Sequence, residues 1–341
     1  MMVQVQEETD GAAWDAFVQA HPDATGNHRW IWREITRDVF RHRSAYLSAR
    51  DETGIVGVLP LVIFRSVIWG RFLVSVPYLN KGGLLARDSD VERVLVAAAQ
   101  TVAERERASF IEFRHRAQRP FLAATRSHKV SMELDLEPTE ESQWSRFDTK
   151  LRNQIRKGMK SGLTVDVGRA EMADDFYAVF SQNMRDLGTP VYPRKLFERV
   201  LERIESARAV IVRLGERPVG AGITIPFRDE VELPWASSIR AFNHVSVNNV
   251  LYWEVLRQAI GSAARRFDFG RSTPGDGPFN FKAQWGASPT PLYWQYWLAP
   301  GAAPPDFNPH SSKYAIAVGA WKRLPLSLAC RLGPPIVRFI P

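Results

Sequence analysis

Apolar and polar positions along the chain follow two periods, one typical of helices and the other of strands. In residues 90–107, apolar side chains such as Val91, Val94 and Leu95 recur three or four residues apart, which places them on one side of a helix. Runs rich in β-branched residues, such as 209–214, predict buried strands. The predicted helices cover 12–20, 30–40, 90–107, 174–187, 194–206 and 248–265. The predicted strands cover 45–49, 54–64, 72–78, 109–113, 130–136, 209–214, 219–226, 231–237, 267–269 and 292–298. The expected fold class is therefore α/β with mixed sheets.

The order of these elements repeats once along the chain. Gly57 corresponds to Gly220 at an offset of 163 residues, and Glu112 corresponds to Asp268 at an offset of 156. A short deletion accounts for the difference between the two offsets. In each half, one long helix lies between the glycine and the acidic residue. We therefore predict two copies of one α/β unit, with residues 130–136 as the last strand of the first copy.

Two linkers divide the chain. The segment 137–142 is acidic and rich in turn-forming residues, and the segment 300–309 is rich in proline. These positions predict a first domain over 1–140, a second over 141–300, and a Pro-rich linker with a basic amphipathic tail over 301–341.

The tail mixes apolar residues and Trp321 with interspersed cations. Such a segment can lie on an anionic membrane surface. The favoured alternative is that it docks on the body of the protein and completes a core. Pro325, Pro334 and Pro335 are expected to break it into pieces too short to cross a bilayer.

Charge narrows the range of partners. The 341 residues include 45 Lys and Arg against 37 Asp and Glu, a formal net charge of +8. This surplus suggests phosphates, nucleotides, tRNA or acidic lipids, although a solvated basic surface without a partner is an equal alternative. Neither a zinc finger nor an arginine-rich arm is present, so DNA is not an expected partner.

The cysteine and histidine content limits the chemistry further. The single cysteine, Cys330, excludes an intramolecular disulfide, and the seven histidines show no metal-ligand spacing, so no metal is expected. The N-terminus has no secretory signal and no apolar run is long enough to span a membrane. We expect a cytoplasmic protein, with contact at the inner membrane if the tail binds lipid.

Candidate chemistry concentrates in residues 264–287. Asp268 lies in a predicted strand that leads into a glycine-containing loop, and such loops often bind ligands in α/β folds. Lys282 lies between Phe281 and Trp285. If these rings pack inward, the lysine is partly desolvated and forms a fixed cation for a phosphate, a carboxylate or a developing oxyanion. A lysine that extends into solvent is the alternative. Asp268 is a candidate base or orienting residue.

Further candidates would bind the substrate. Arg152 and Lys157 lie in a basic helix that could hold phosphates or a tRNA backbone, or could simply face solvent. Asn248 is a predicted helix cap with N–H groups near it, and Trp235 and Tyr252 could form an aromatic platform or belong to the core. The full set of substrate-binding candidates is Arg271, Ser272, Arg152, Lys157, Trp235, Ser237, Asn248, Tyr252 and Tyr192.

Six separated motifs resemble the FemAB-like proteins associated with exosortase/PEP-CTERM systems. These motifs are residues 152–157, 183–190, 235–238, 248–253, 267–272 and 281–286. The resemblance covers nearly the whole chain. It implies two tandem GNAT-like acyltransferase domains with a short C-terminal helical tail, in agreement with the internal repeat. It also implies a bacterial cytoplasmic protein that acts with exopolysaccharide machinery.

The resemblance also implies a chemistry. FemAB relatives transfer an aminoacyl group from aminoacyl-tRNA to an amine of a lipid-linked peptidoglycan precursor, and their Phe-Lys-x-x-aromatic-Gly segment is similar to 281–286. It therefore implies that Lys282 lies near the reacting carbonyl. Other GNAT-like relatives use acyl-CoA and have glycines before the long helix, where 244–249 has none. The donor, acyl-CoA or aminoacyl-tRNA, stays open, and no tightly bound cofactor is implied.

The expected function is acyl or aminoacyl transfer to an amine or hydroxyl of a cell-envelope or exopolysaccharide precursor. The alternative is a non-catalytic adaptor of exopolysaccharide assembly that binds a glycan or a lipid carrier.

Overall fold

The computed structural model describes residues 2–66, 70–122, 124–303 and 312–341. Contacts divide the chain into two compact units, each assembled from segments that are distant in sequence. Unit 1 comprises Met1–Lys129, Pro291–Phe307 and Phe339–Pro341, and unit 2 comprises Val130–Thr290 and Asn308–Arg338.

These boundaries differ from those expected at 140/141 and 300/301. The chain changes unit between Lys129 and Val130, and again between Thr290 and Pro291. The reason is strand pairing: the strand that begins at Val130 joins the sheet of unit 2, although the sequence predicted it as the last strand of the first copy. The strand that follows Pro291 joins the sheet of unit 1.

Unit 1 is an α/β unit built on one mixed sheet. Its strands are β1 (Gln4–Glu7), β2 (Arg43–Asp51), β3 (Gly54–Ser66), β4 (Gly70–Val74), β5 (Leu85–Ala86), β6 (Phe110–His115), β7 (Ala124–Arg126) and β15 (Tyr293–Leu298). Its helices are α1 (Gly11–Ala20), α2 (Ile31–Phe40) and α3 (Ser89–Arg105). The strand order is β1-β2-β3-β4-β6-β15-β7, with β5 paired to β3. Helix α3 begins at the Asp88 cap, which accepts hydrogen bonds from two backbone N–H groups, and packs Val91 and Leu95 on the sheet.

Unit 2 repeats this architecture with more helices. Its strands are β8 (Val130–Asp135), β9 (Leu163–Gly168), β10 (Arg208–Leu214), β11 (Arg217–Phe227), β12 (Glu230–Ser238), β13 (Arg266–Ser272) and β14 (Ser288–Pro291). Its helices are α4 (Glu140–Arg146), α5 (Thr149–Lys160), α6 (Ala173–Leu187), α7 (Arg194–Arg203), α8 (Val247–Gly261), α9 (Gly277–Ala283), α10 (Ser312–Lys322) and α11 (Leu326–Val337). The strand order is β14-β8-β13-β12-β11-β10-β9.

Apart from β5, the strands of the two sheets correspond one to one, which confirms the repeat predicted from the sequence. In each sheet one pair of neighbours is parallel, β4 with β6 and β12 with β13. The parallel register ends at Val74↔Glu112 in unit 1 and at Glu232↔Asp268 in unit 2. The offset of 156 therefore aligns Glu112 and Asp268 in the fold as well as in the sequence.

The described part of the tail docks on unit 2. Ala329 and Val337 of α11 are buried, and Gly333 approaches the backbone of Val191 so closely that a Cβ atom would lie 2.4 Å from the Val191 carbonyl oxygen. Pro325 lies between α10 and α11, so the expected break is confirmed there, whereas Pro334 and Pro335 lie inside α11 and the break expected at them is wrong. Packing of the helix on unit 2 outweighs the loss of two N–H donors in its last turns. Within the described ranges no helix has the length and apolar character needed to cross a bilayer.

Candidate functional site

A bulge in β13 organises the region around Asp268. The pairing of β13 with β8 shifts register between Asp268 and Arg271, and Gly270 has a φ of +77°. Asp268 is completely buried, and its Oδ1 accepts hydrogen bonds from the Gly270 N–H at 2.7 Å and the Ser131 hydroxyl at 2.6 Å. Glycine suits this position because the backbone is left-handed and a Cβ atom would lie 3.2 Å from the Leu233 carbonyl oxygen.

The bulge presents two backbone carbonyls to Lys282. Helix α9 begins after Asp276 with Pro278 in its first turn, a favourable position for proline, and its last turn contains Lys282. The Lys282 Nζ donates to the Gly270 carbonyl at 3.0 Å and to the Arg271 carbonyl at 3.1 Å. The lysine is 6% exposed. Lys282 is thus a buried cation held mainly by backbone dipoles.

The aromatic neighbours of Lys282 keep α9 in place and exclude water. Phe281 packs edge-on against Tyr252 with ring centroids 5.0 Å apart, and Trp285 packs edge-on against Phe147 at 5.4 Å. This inward packing is the condition under which the sequence predicted a desolvated lysine. The alternative of a lysine extended into solvent is wrong.

Burial lowers the pKa of Lys282 to about 8. The nearby Asp268 carboxylate opposes this shift, and the Arg271 guanidinium adds to it. Below pH 8 the side chain is mostly an ammonium, which has three N–H donors. Two of them bind carbonyls, so one donor remains for the oxygen of a bound molecule.

The neighbouring strands leave backbone groups available beside this lysine. Parallel pairing of β12 with β13 stops at Glu232↔Asp268. Beyond that point β12 continues to Ser238 paired with β11, and β13 continues to Ser272 paired with β8. No pairing joins these two continuations in the part of the chain that the structure describes. An extended ligand that contains amides could hydrogen-bond to the facing strand edges.

The equivalent region of unit 1 is filled by the chain itself. After β4, the Ser75 N–H donates to the Glu112 carbonyl and the Gly82 N–H to the Arg114 carbonyl, both at 2.9 Å. Arg114 corresponds to Gly270 at the repeat offset of 156. Its guanidinium lies 2.8 Å from the Glu112 carboxylate and donates to the Leu79 carbonyl at 2.6 Å. The segment 75–82 therefore occupies in unit 1 the place that is open in unit 2.

The predicted site residues fall into separate groups, and only Asp268, Arg271, Ser272 and Lys282 surround the end of β13. The Ser272 side chain is 5% exposed, and its hydroxyl has no hydrogen-bond partner among the described residues. A buried hydroxyl without an internal partner is typically satisfied by water or a ligand. This position is consistent with the predicted substrate-binding role of Ser272, which stays a prediction.

A second group lies where α5 crosses the start of α8. Gly158 of α5 contacts the Ser246 carbonyl and the Val250 side chain, and the Ser246 hydroxyl donates to Gln154 at 2.9 Å. This packing places the basic helix α5, with half-buried Arg152 and exposed Lys157, beside the first turn of α8. Asn248 lies inside that turn and Ser246 is at the cap position, so the prediction of Asn248 as the cap is wrong. Neither basic side chain forms an ion pair within the described ranges. The arrangement suits an anion.

A third group lies on the side of the sheet covered by α6 and α7. Trp235 packs edge-on against Phe197 at 5.3 Å, and Tyr192 lies 6.5 Å from the same ring. The Ser237 hydroxyl accepts a hydrogen bond from the Asn183 side chain at 3.0 Å. Trp235 is 7% exposed, so it is mainly a packing residue here rather than an open platform.

Tyr252 belongs to the core instead of an open binding surface. Its ring stacks on Phe269 at 5.8 Å and contacts Phe281 and Trp285. Burial raises the pKa of its hydroxyl to about 12. Tyr252 therefore supports the position of α9, and with it Lys282.

Two buried residues beside Asp268 are absent from the residues predicted from the sequence. Ser131, which holds Asp268, lies on a strand predicted to belong to the other half. Glu232 is 6% exposed and lies in register with Asp268 on the neighbouring strand. No local motif marks either residue, whereas a glycine inside a strand, as at Gly270, is a recognised signal of a bulge. Within the described ranges, no three His, Cys, Asp or Glu side chains are grouped to hold a metal.

A protein-family model described as an acetyltransferase (GNAT) domain matches residues 145–283. The match covers less than half of the chain but most of unit 2, including Asp268 and Lys282. No curated protein matches the sequence significantly.

Solved structures with the same fold have low sequence identity to this chain. FemX is 13% identical with a TM-score of 0.66, covering 86% of this chain and 97% of that one. A tandem GNAT protein from the clavulanic acid biosynthesis pathway is 13% identical with a TM-score of 0.57, covering 89% and 100%. L-PGS from Bacillus licheniformis is 13% identical with a TM-score of 0.56, covering 93% and 99%. The protein therefore has a tandem GNAT-like fold, and its second unit matches the GNAT acetyltransferase domain in sequence.

Proposed function

We propose that this protein transfers an acyl or aminoacyl group to an amine or hydroxyl of a cell-envelope or exopolysaccharide precursor. The reaction centre would be Lys282 in unit 2. The main support is the buried ammonium that the Gly270 and Arg271 carbonyls hold at the point where β12 and β13 cease to pair. The GNAT match over the same residues supports acyl transfer as the reaction class.

The chemistry follows from this geometry. The acceptor nitrogen or oxygen attacks the donor carbonyl carbon, one new bond forms, and the carbonyl oxygen becomes an oxyanion. The third N–H of Lys282 donates to that oxyanion. Collapse of the tetrahedral intermediate breaks the bond to the donor's thiolate or ribose oxygen, which leaves with a proton. A preorganised donor of this kind accelerates the reaction by about 100- to 1,000-fold.

Asp268 would act as an orienting residue rather than as the base. Its Oδ1 is committed to Ser131 and to the Gly270 N–H, and the latter bond shapes the bulge whose carbonyls hold Lys282. Glu232, in register with Asp268, is our candidate for the group that accepts the acceptor's proton.

The donor and acceptor classes rest on resemblance. The six motifs that resemble FemAB-like proteins favour an aminoacyl donor and an envelope acceptor, and FemX has the same fold as this chain. The match of residues 145–283 to an acetyltransferase (GNAT) domain favours a CoA thioester as the donor. Arg152, Lys157 and Arg271 would bind phosphates in either case, and Asn248 would help to position the ligand. The link to exosortase/PEP-CTERM systems stays a prediction of the sequence motifs.

The test is a transfer assay with radiolabelled acetyl-CoA or aminoacyl-tRNA and an undecaprenyl-linked saccharide or peptidoglycan precursor. We expect Lys282→Met to lower kcat by about 100- to 1,000-fold. The matched control is Lys195→Met, because Lys195 is exposed on α7. We also expect the wild-type rate to fall as pH rises through about 8, because the ammonium is the donor.

Two outcomes would redirect the proposal. A rate that rises through pH 8 would assign Lys282 as a neutral base. Binding of the lipid-linked saccharide without consumption of either donor would favour the non-catalytic adaptor.

A further inference from the structure

Helix α11 has an apolar stripe that unit 2 does not cover. Leu328, Leu332 and Ile336 are spaced four residues apart and therefore lie along one side of the helix. They are 39%, 42% and 40% exposed. The docked side of the same helix is formed by other residues, among them Ala329 and Gly333.

Exposed large apolar side chains are concentrated at this end of the chain. Among the described residues, nine large apolar side chains are exposed: Met2, Val94, Met159, Val167, Leu187, Leu328, Leu332, Ile336 and Ile340. Single exposed apolar residues are normal on a protein surface, but three consecutive turns of one helix are not explained in this way. The α11 stripe is therefore a candidate interaction surface.

The charge around the stripe has one sign. Residues 307–341 contain no Asp or Glu, although 37 acidic residues occur in the whole chain. The exposed cations nearest to α11 in sequence are Lys322, Arg323 and Arg331. None of these three forms an ion pair with an acidic residue in the part of the chain that the structure describes.

We infer that α11 lies in the interface of an anionic lipid surface, with Leu328, Leu332 and Ile336 inserted and the adjacent cations at the headgroups. Apolar insertion combined with Lys and Arg at the polar boundary is the usual basis of interfacial helix binding. A second copy of this chain is a poorer occupant, because it would bring two acid-free, positively charged segments together. The inference is independent of the proposed function.

The test is sedimentation of the full chain with lipid vesicles. We expect binding to vesicles of phosphatidylglycerol and phosphatidylcholine in equal parts, little binding to pure phosphatidylcholine, and release by salt. The triple variant Leu328→Ser, Leu332→Ser, Ile336→Ser is expected to reduce partitioning by about 100-fold. The three side chains are exposed, so the variant should unfold at the same urea concentration as the wild type.

A matched control carries the same chemical change elsewhere. Val94, Met159 and Val167 are 39%, 48% and 42% exposed, and their replacement by serine should leave vesicle binding unchanged. Replacement of Lys322, Arg323 and Arg331 by glutamine should reduce binding to the anionic vesicles by about 100-fold.

The inference fails if the first triple variant binds vesicles as tightly as the wild type does. It also fails if light scattering finds a dimer that this variant dissociates while the wild type ignores vesicles, because a second copy then covers the stripe.

Discussion

At the scale of single residues, the Lys282 ammonium is unusual because the hydrogen bonds that hold it go to backbone carbonyls. Its partners are the carbonyl oxygens of Gly270 and Arg271, and the negative charge of the nearby Asp268 carboxylate favours the ammonium form. A contact ion pair would neutralise most of the positive charge. Carbonyl dipoles hold the group without doing so, which leaves a positive potential for an oxyanion.

The lowered pKa of Lys282 has a measurable consequence for stability. Between about pH 8, the pKa of Lys282 in the folded protein, and 10.5, the ordinary pKa of a lysine, the unfolded chain binds a proton that the folded protein has released. Stability of the wild type should therefore rise with pH across this window, relative to Lys282→Met, by about 3 kcal/mol at 1.36 kcal/mol per pKa unit. Urea unfolding of both proteins between about pH 7 and pH 10 measures the difference. A difference that stays constant with pH would contradict the lowered pKa.

Lys282 could be predicted as a site residue from the sequence, but only some of the residues around it could. Phe281 and Trp285 flank it locally, so inward packing of the rings could be predicted from adjacent residues. Ser131 lies 137 positions before Asp268, and no periodicity connects them. Trp235 and Tyr252 were ambiguous for a physical reason: a large aromatic ring suits a binding platform and a core equally well.

At the scale of elements, β13 is the strand that builds the site. The sequence predicted a strand over 267–269, whereas β13 spans Arg266–Ser272. Gly270, which follows the predicted strand, lies in the bulge. Beyond it, β13 pairs with β8 again at Arg271↔Ser131. The bulge therefore redirects the carbonyls without ending the strand.

Two glycines allow the role of the bulge to be tested. Gly270 and Gly275 both have positive φ, +77° and +85°, so alanine should cost about 1 kcal/mol of stability at either. A Cβ atom at Gly275 meets nothing within 4 Å, whereas at Gly270 it meets the Leu233 carbonyl oxygen at 3.2 Å. We expect Gly270→Ala to be the less stable variant and to lose transfer activity, because the carbonyls that hold Lys282 must shift. Urea unfolding and the transfer assay compare the two variants; equal activity would exclude a role for the bulge.

The partners of β8 and β15 lay beyond the reach of sequence patterns. Each strand has the expected apolar character and nearly the expected bounds. Periodicity identifies the face that a strand buries, but it contains no information about which sheet the strand joins. The acidic linker at 137–142 therefore predicts a domain boundary there, although the chain changes unit before β8 begins.

At the scale of the whole molecule, the two units have the same fold but use the equivalent acidic residue differently. Glu112 of unit 1 and Asp268 of unit 2 occupy the same position at the end of the parallel ladder. Asp268 shapes an open region beside Lys282. Glu112 binds the Arg114 guanidinium and accepts a hydrogen bond from the Tyr296 hydroxyl at 2.8 Å, inside a region that the chain fills.

Removing the negative charge should lower the stability of the protein at Glu112 and its transfer activity at Asp268. Glu112→Gln leaves the Arg114 charge buried and unpaired, so we expect a loss of about 3 to 5 kcal/mol of stability with normal transfer activity per folded molecule. Asp268→Asn should mainly reduce transfer. Urea unfolding and the specific activity of the folded fraction separate the two effects.

A double variant serves as the control. Replacing Glu112 by Gln and Arg114 by Met removes both charges and should recover most of the lost stability. If Glu112→Gln were stable and inactive, unit 1 would take part in the reaction.

The exchange of β8 and β15 fixes the order in which the protein can fold during its synthesis. Strand β15 lies between β6 and β7, so the sheet of unit 1 lacks an inner strand until residues 293–298 have left the ribosome. Until then the buried Glu112 lacks Tyr296, and one edge of β6 is unpaired. Unit 1 therefore cannot complete its sheet until nearly the whole chain has been synthesised. A nascent polypeptide that ends before β15 exposes an unpaired strand edge, to which chaperones are expected to bind.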